Sequence, residues 1–289
     1  VCKRIRAQLP QRLYQELSFF EMTTLIALYI FKEKNTDINI LEVGLGGRLD
    51  ATNMIDPIVS AVISVGYDHQ DILGAHLNQI AYEKLGIARK GRPLFWGAAF
   101  NQDFQVEEVL SKQQKDKEFI LIRRDQHFSI EGSIVHLSLP NLPHVNFGLP
   151  PHLFAFSKVI KENFALALAI FFRVLASYET YLGHYTLQER VERSLALFGQ
   201  KAFKWPNTLI ARFQWLTIAC SQTKRKQALL LDVCHNLDSA KVFCRSIKEL
   251  SFFKKKPQKI PGIISILKDK DVGCILDCLR EVLEPSVYF

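Results

Sequence analysis

The sequence lacks the features that mark several common classes of protein. Its six cysteines form no Cys-x-x-Cys pair, and Cys274 and Cys278 have no histidine pair nearby, which argues against a zinc site. The most apolar predicted helix, residues 164–176, contains Arg173 and is too short to span a bilayer, so we expect no membrane partner. Unpaired cysteines are typical of reduced thiols, and we therefore expect a cytoplasmic protein.

The charge of the chain does not indicate nucleic-acid binding either. With 289 residues, 48% of them hydrophobic, the chain can bury a sizeable core in one large or two ordinary domains. The formal charge of +8 fits an anionic ligand such as a nucleotide, but it is also compatible with no such partner. The basic clusters at residues 224–226 and 254–256 lack interleaved aromatics, so we interpret them as solvated faces. We expect a monomer without a nucleic-acid partner.

Residues 40–53, ILEVGLGGRLDATN, are the most informative stretch. An apolar run at residues 38–43 predicts a strand, and the glycines after it permit the tight turns and close approaches of a ligand-binding loop. Glu42 is an acid within this run, which indicates either a cation, metal or donor partner or simple contact with water. A dinucleotide site has little support, because Leu49 stands where that motif has its third glycine.

Apolar periodicity along the rest of the chain predicts helices that alternate with buried strands, which is typical of an α/β fold with a mostly parallel sheet. We predict strands at residues 58–65, 228–233 and 262–267, and helices at residues 20–31, 77–88, 187–198 and 271–283, with two more beginning near residues 157 and 238. The helix at 20–31 is apolar on nearly all sides, so we expect it to be buried. We also expect both faces of the strand at 58–65 to be covered.

Other regions depart from this alternation. Short β-like runs at residues 119–139 predict antiparallel strands in a hairpin that turns at residues 131–133. Residues 1–15 show no clear structural pattern, and the proline-rich residues 140–151 predict a loop. The sequence KWPN at residues 204–207 breaks the chain, so we place a domain boundary there.

Candidate functional side chains follow the strand at residues 58–65. Asp68 and His69 come at its carboxyl end, where open α/β sheets bind their ligands. His69 is a candidate metal ligand, although a histidine in this position is commonly hydrogen-bonded to backbone instead. Lys84 lies near one edge of the apolar stripe of the helix at 77–88, which is also the usual position of a surface lysine with a buried stem.

Six motifs in order along the chain resemble one family. They are SFFE at residues 18–21, GLGGRLDATN at 44–53, YDH with LG at 67–74, EKLGI at 83–87, DVCHNLDS at 232–239 and DKD at 269–271. This set is similar to the folylpolyglutamate synthase and dihydrofolate synthase ligases, relatives of the Mur cell-wall ligases. The resemblance implies a partial central ATPase domain with a mostly parallel sheet at 1–204, a linker at 205–212, and a partial Rossmann-like α/β domain at 213–289. It also implies a chain truncated at both ends.

In that family ATP phosphorylates a substrate carboxylate, and the amine of glutamate attacks the acyl phosphate to give an amide, chemistry that needs metal to neutralise phosphate oxygens. The resemblance implies such a ligase, using ATP and Mg²⁺ to add L-glutamate to dihydropteroate, folate or both. The implied magnesium ligands are Glu42, His69 and Lys84, where Lys84 resembles the family's carbamylated lysine. The residues implied to face the nucleotide are Asn163, Arg212, Asp232 and His235. Those implied to bind the pterin-bearing substrate are Ser18, Phe20, Arg48, Asp50 and Ala51.

Alternative roles remain for two of these residues, and the motif pattern also departs from the family. Phe20 also fits core packing, and Asn163 also fits helix capping. The sequence contains no GxxxxGK[ST] loop, whose backbone amides and lysine cradle nucleotide phosphates. Val233 and Leu237 stand where the family has Gly and Pro, and the interval from the KWPN sequence to Arg212 is longer than in the family.

Three hypotheses follow from the resemblance and from these departures. The chain is a fragment of an ATP-dependent folate ligase, a non-catalytic remnant that binds a pterin or nothing, or a Mur-type ligase that acts on a cell-wall precursor. The GLGGRLDATN sequence favours a folate ligase over a Mur-type ligase. We therefore expect the first hypothesis to hold for the family.

Overall fold

The computed structural model describes most of the chain, namely residues 1–98, 103–149, 158–177, 185–198, 213–219, 226–255, 258–266 and 271–284. The fold is α/β with a parallel sheet, as the alternation of apolar runs predicts. The chain divides into two compact units, of which the first comprises Val1–Val65, His69–Leu94 and Asn101–Leu121, and the second comprises Gly66–Asp68, Phe95–Phe100 and Ile122–Phe289. None of the helices in the described part of the chain is long and apolar enough to cross a bilayer.

Helices dominate the first unit. They are α1 (Cys2–Gln8), α2 (Gln11–Glu16), α3 (Phe19–Lys34), a 3-10 helix (Ala51–Met54), α4 (Gln70–Leu73), α5 (Leu77–Leu85) and α6 (Phe104–Lys117). The expectation that residues 1–15 lack clear structure is therefore wrong. Their short helical runs are polar and largely exposed, so they carry little of the apolar periodicity that identifies a helix in a sequence.

Helix α3 begins and ends with strong local signals. At its start Ser18 and Glu21 form a capping box, in which each side chain accepts a hydrogen bond from the other residue's backbone N–H. The prediction that this helix is buried is wrong, because Phe19 is 89% exposed and only Thr24 is buried. An all-round apolar helix buries only the sides that other elements cover, and α3 packs against the 3-10 helix on one side.

The core of the first unit lies where α5 packs against α6. The predicted apolar stripe of α5 is confirmed, since Ile80, Ala81 and Leu85 are fully buried. At the end of α5 the Nζ of Lys117 donates a hydrogen bond of 3.0 Å to the backbone carbonyl of Leu85. A cation at the carbonyl end of a helix stabilises it through the helix dipole.

Three short strands, β1 (Ser60–Val62), β2 (Pro93–Trp96) and β3 (Ile120–Arg123), form a sheet in the order β1-β2-β3. The strand expected at residues 58–65 is thus present but short, and Ile63 within that range is 48% exposed, so its faces are not fully covered. β3 belongs to this sheet and not to the hairpin in which we expected it. The short apolar run of β3 predicts a strand but does not show which strand it pairs with, because that pairing depends on residues far away in the sequence.

The strand expected at residues 38–43 is not formed. Ile38 is 54% exposed and Ile40 is 88% exposed, although a central strand of an α/β sheet would bury both side chains. The physical reason is that no strand among the described residues pairs with this segment, and a strand is defined by its ladder of backbone hydrogen bonds.

In the second unit β4 (Phe128–Glu131), β5 (Ile134–Leu137) and β6 (Val145–Gly148) form an antiparallel meander. The hairpin predicted around residues 131–133 is confirmed, since Glu131 pairs with Ile134 and Gly132 has a φ of 58° between them. That left-handed conformation suits glycine. β6 lies in the region that we expected to be a loop, because its strand has only four residues beside the prolines.

One face of the meander is buried against α7 (Lys158–Ser177), which also contacts α8 (Leu187–Phe198). Alternate residues of the strands, including Val135 and Leu137, point to this face and are nearly inaccessible to solvent. The helix predicted to begin near residue 157 is confirmed as α7, and the helix predicted at residues 187–198 is confirmed as α8 with the same bounds. The period-two burial of the strands and the apolar side of α7 together produce the core of this region.

The remainder of the second unit contains β7 (Gln214–Ala219), β8 (Lys226–Leu231), α9 (Leu237–Glu249), α10 (Ser251–Lys255) and α11 (Val272–Leu279). β7 and β8 are antiparallel, and α9 packs against α11 around Cys244, Ile247 and Ile275. The predicted helix at residues 271–283 ends at Leu279.

Two predictions for this part of the chain need correction or lie outside the structure. The strand predicted at residues 262–267 is absent from the described residues 262–266, where Ile264 forms a single bridge, and Ile260 forms another with Leu283 nearby. A single bridge does not form a strand, because a ladder needs successive hydrogen-bonded pairs. The domain boundary predicted at residues 204–207 and the linker predicted at residues 205–212 lie outside the described residues, as do the final residues 285–289. That division stays a prediction.

Candidate functional site

The loop at residues 44–53 is organised around one carboxylate. Asp50 Oδ2 accepts hydrogen bonds from the backbone N–H groups of Gly44 and Leu45, each at 3.0 Å. Its Oδ1 accepts from the backbone N–H of Thr52 at 2.9 Å and from the Thr52 hydroxyl at 2.6 Å. Partial burial by itself raises the pKa of Asp50, but the bonds from Thr52, Leu45 and Gly44 outweigh it and lower the pKa below its ordinary value.

The same loop lies directly against the end of α5. The backbone N–H of Arg48 donates to the carbonyl of Glu83 at 2.8 Å. This approach depends on two glycines. A Cβ at Gly86 would collide with the Cα of Arg48, and a Cβ at Gly47 would lie 2.9 Å from the carbonyl oxygen of Glu83. The glycines of the GLGGR and EKLGI motifs are thus the sites at which the two motifs touch.

Arg89 fixes the other end of the loop. Its Nη2 donates to the carbonyl and side-chain oxygens of Asn53, both at 2.8 Å, and to the carbonyl of Ile55 at 3.1 Å. The Nδ2 of Asn53 in turn donates to the carbonyls of Arg48 and Gly86, at 3.0 and 3.3 Å. The loop is therefore held at both ends by groups that satisfy its backbone.

A cavity of about 310 Å³ opens beside this loop. All five residues predicted to bind the substrate line it, namely Ser18, Phe20, Arg48, Asp50 and Ala51. The lining also includes six residues that the sequence did not single out, namely Glu21, Leu45, Leu49, Ile72, Leu73 and Glu83. Glu21, Leu73 and Glu83 belong to the SFFE, YDH…LG and EKLGI motifs, so motif membership was the signal that could have identified them.

The chemistry of the cavity is mixed. Phe20 and leucine side chains provide an apolar wall, and the carboxylate of Glu21, which accepts one hydrogen bond from the backbone N–H of Ser18, provides a hydrogen-bond acceptor. The volume lies at the lower end of the range for small-molecule pockets. A flat, apolar group with N–H donors at its edge matches this combination of size, apolar wall and acceptor.

The three predicted magnesium ligands lie in the first unit but do not form a complete site by themselves. Glu42 is exposed, Lys84 is half-buried in α5, and His69 precedes α4 with a left-handed φ of 50°. A non-glycine residue in that conformation is uncommon and is often found at a functional site. Among the described residues, no group of three or more His, Cys, Asp or Glu side chains could hold a metal ion.

The residues predicted to face the nucleotide lie in the second unit, except for Arg212, which lies outside the described residues. Asn163 is exposed on α7. The carboxylate of Asp232 accepts hydrogen bonds from the backbone N–H groups of Phe213, at 2.8 Å, and Cys234, at 2.9 Å. His235 has a side chain that is 52% exposed, and its Nε2 lies 3.7 Å from Asp68 Oδ2.

Sequence reasoning did not anticipate that the DVCHNLDS segment contacts the YDH segment. Asn236, which caps α9, also donates from its Nδ2 to Asp68 Oδ2 at 2.8 Å. The backbone N–H of Tyr67 donates to Asp238 Oδ2 at 2.9 Å. Two motifs about 170 residues apart in sequence are thus joined through carboxylates, since 168 positions separate Asn236 from Asp68.

The α/β fold with a parallel sheet is shared with Mur ligase-like proteins among solved structures. Escherichia coli FolC in complex with DHPP and ADP is 28% identical, with a TM-score of 0.65, over 93% of this chain and 56% of that one. A bifunctional folylpolyglutamate synthase/dihydrofolate synthase with Mn, AMPPNP and L-glutamate bound is 30% identical, with a TM-score of 0.64, and matches the same shares.

Curated sequences give the same result, although no protein-family model matches the chain. The dihydrofolate synthase/folylpolyglutamate synthase of Buchnera aphidicola from Schizaphis graminum is 30% identical over 92% of this chain and 54% of the relative. That of Escherichia coli is 30% identical over 93% and 54%. The chain is therefore a relative of the dihydrofolate synthase/folylpolyglutamate synthase family, and it spans about half the length of the curated relatives it matches.

Proposed function

We propose that this chain carries the pterin-binding part of an ATP-dependent ligase that joins L-glutamate to dihydropteroate, folate or both. The observation that supports this proposal is the cavity, which gathers Ser18, Phe20, Arg48, Asp50 and Ala51 from two separate motifs. The protein would act as a cytoplasmic monomer. Its substrates would be a pterin-bearing carboxylic acid, ATP and L-glutamate.

The proposed reaction has two balanced steps. The substrate carboxylate takes the γ-phosphoryl group of ATP and releases ADP, which gives an acyl phosphate. The amine of L-glutamate then attacks the acyl carbon, loses a proton and displaces phosphate, which leaves an amide. The role of the cavity is to hold the heterocycle so that the distant carboxylate is fixed in position, which lowers the entropic barrier to both steps.

Bound Mg²⁺ would neutralise phosphate oxygens during the transfer. Glu42 and His69 offer an oxygen and a nitrogen donor, and Lys84 would offer a third ligand once a carbamate replaced its ammonium charge with a carboxylate. That modification is consistent with the lack of a third His, Cys, Asp or Glu ligand among the described residues. Asn163, Arg212, Asp232 and His235 are the residues we propose for the nucleotide.

The solved relatives support this choice of ligands. One was solved with DHPP and ADP, a second with Mn, AMPPNP and L-glutamate, and a third as an AMPPCP–folate complex. A nucleotide, an amino acid and a pterin-bearing molecule are together the substrates that the proposed reaction requires.

A second candidate function is binding of the pterin without turnover. It corresponds to the non-catalytic hypothesis drawn from the sequence, and the cavity supports it equally well, because no step of pterin binding requires ATP. The two candidates share the cavity but differ in whether ATP is consumed.

Calorimetry of the 289-residue chain with dihydropteroate, together with an assay of glutamate-dependent ADP release by a version extended upstream to include a phosphate-binding loop, separates these candidates. Binding with ADP release by the extended version supports the ligase, whereas binding without ADP release in either form supports the non-catalytic alternative. Lack of binding contradicts both. Asp50→Asn should weaken dihydropteroate binding, and the matched control Glu16→Gln should not, because Glu16 lies in an exposed pair with Arg12 on α2, outside the cavity lining.

A further inference from the structure

Negatively charged side chains outnumber positively charged ones in the lining of the cavity. Its lining contains the carboxylates of Glu21, Asp50 and Glu83 and the guanidinium of Arg48, which is the only cation among the described residues that line it. The formal charge of the lining is therefore negative. An anionic group that entered the cavity would meet like charges at close range, which is strongly unfavourable in a partly desolvated site.

Arg48 is the side chain that could reverse this preference, and Glu83 restrains it. The Nε of Arg48 lies 3.1 and 3.2 Å from the two carboxylate oxygens of Glu83, and its Nη2 lies 2.9 Å from Oε1. This edge of a guanidinium matches the geometry of a carboxylate, so Glu83 occupies one of the two edges at which Arg48 could bind an incoming carboxylate. The guanidinium also lies over the ring of Tyr82, 5.8 Å from its centroid.

Arg48 and Glu83 are joined through their backbones as well as through their side chains. The Glu83 side chain is only 20% exposed, and its backbone carbonyl accepts the N–H of Arg48 at 2.8 Å. Arg48 is thus tethered to Glu83 through main chain and side chain. The Arg48 side chain is 41% exposed, but these contacts orient it towards Glu83, whose carboxylate offsets its charge.

We propose that Glu83 determines the specificity of the cavity: by pairing with Arg48 it makes the cavity select an uncharged, hydrogen-bond-donating ring over an anionic group. This inference rests on the proposed function and deepens it, because it states which end of a pterin-bearing acid enters. The neutral heterocycle occupies the cavity, and the carboxylate that reacts is kept outside.

Two matched probes test this selectivity without requiring turnover. The probes are 6-hydroxymethylpterin and pterin-6-carboxylate, which share a ring and differ in the charge of one substituent. Their fluorescence reports binding to the 289-residue chain at neutral pH and low ionic strength, where charge effects are least screened. We expect the neutral probe to bind about tenfold more tightly than the carboxylate.

Two substitutions should shift this preference in opposite directions. Glu83→Gln frees Arg48 and removes one negative charge, so the preference for the neutral probe should fall by about fivefold, chiefly through tighter binding of the carboxylate. Arg48→Gln removes the cation and should raise the preference by a similar factor. Glu16→Gln, in the exposed pair with Arg12, should leave the preference unchanged.

Each outcome decides between specificity and a purely structural role. If Glu83 and Arg48 serve only to dock the loop, both substitutions weaken the two probes by the same factor, and the inference is overturned. Thermal unfolding of each variant shows whether the fold is retained. Equal binding of the two probes by the unmodified chain overturns the inference alone, whereas binding of neither probe overturns the proposed pterin site as well.

Discussion

Two loops of this protein use an aspartate in the same way but with different partners. In the loop at residues 44–53, Asp50 accepts hydrogen bonds from backbone groups no more than six positions away. In the segment at residues 232–239, Asp232 accepts one bond from the neighbouring Cys234 and another from Phe213, 19 positions away. The Asp50 carboxylate is satisfied within its own loop, whereas that of Asp232 depends in part on a separate part of the chain.

This difference explains why the two loops contribute differently to the candidate site. The first loop contributes Arg48, Asp50 and Ala51 to the lining of the cavity. The second loop makes contacts to distant residues, including the bond from Asn236 to Asp68. We therefore expect substitutions in the first loop to affect ligand binding most, and the following variants rank those effects.

The largest effect is expected for Gly86→Ala. The added Cβ would collide with the Cα of Arg48 and push the loop away from α5, at a cost of about 3 kcal/mol in the free energy of unfolding. Chemical denaturation measures this cost. Gly148→Ala is the control, because a Cβ there meets no atom within 4 Å, and its effect should stay within about 0.5 kcal/mol.

Asp50→Asn should cost about 2 kcal/mol, because the amide NH₂ would face backbone donors that now point at a carboxylate oxygen. Dihydropteroate binding should weaken in parallel, as measured by calorimetry. A variant that keeps full stability and full binding would show that Asp50 organises neither the loop nor the cavity.

Asp232→Asn should have a smaller effect on stability, about 1 kcal/mol, because two backbone bonds depend on that carboxylate where four bonds depend on Asp50. Denaturation of both variants under the same conditions provides the comparison. If Asp232→Asn lowered the free energy of unfolding as much as Asp50→Asn or more, the larger role assigned to the Asp50 hydrogen bonds would be wrong.

A smaller change in the free energy of unfolding is expected with pH, and its direction follows from the lowered pKa of Asp50. Since the folded state lowers the pKa of Asp50, its contribution to stability is fully present above the unfolded pKa of about 4 and is lost as the pH falls through the folded pKa. Unfolding of the parent chain and Asp50→Asn should therefore converge in stability at acid pH. A difference that stayed constant from neutral to acid pH would show that the charge of Asp50 is not the stabilising feature.

The sequence predicted well those features that depend on short-range pattern. Apolar periodicity identified α5, α7 and α8, and a Gly-containing turn identified the β4–β5 hairpin. The family resemblance of the SFFE and GLGGRLDATN motifs implied the five substrate-binding residues, which lie together in the structure. Local signals suffice here because each element is set by residues that are near one another in the chain.

Features that depend on distant partners were not predictable in the same way. The apolar run at residues 38–43 reads as a buried strand, but the ladder that defines a strand comes from other segments. Likewise Glu83 resembles, in the sequence, an ordinary surface acid of a helix. Its pairing with Arg48 becomes visible only in the structure, where residues 44–53 approach α5. A sequence shows which side chains are present, and the tertiary fold determines which of them meet.

Hydrogen exchange with and without dihydropteroate tests most directly whether the cavity beside the loop at residues 44–53 binds the pterin. Bound ligand should slow exchange in peptides that cover residues 18–21, 44–51 and 72–73, which line the cavity, and should leave the meander at residues 128–148 unchanged. Protection confined to other regions, or none at saturating dihydropteroate, would contradict this assignment.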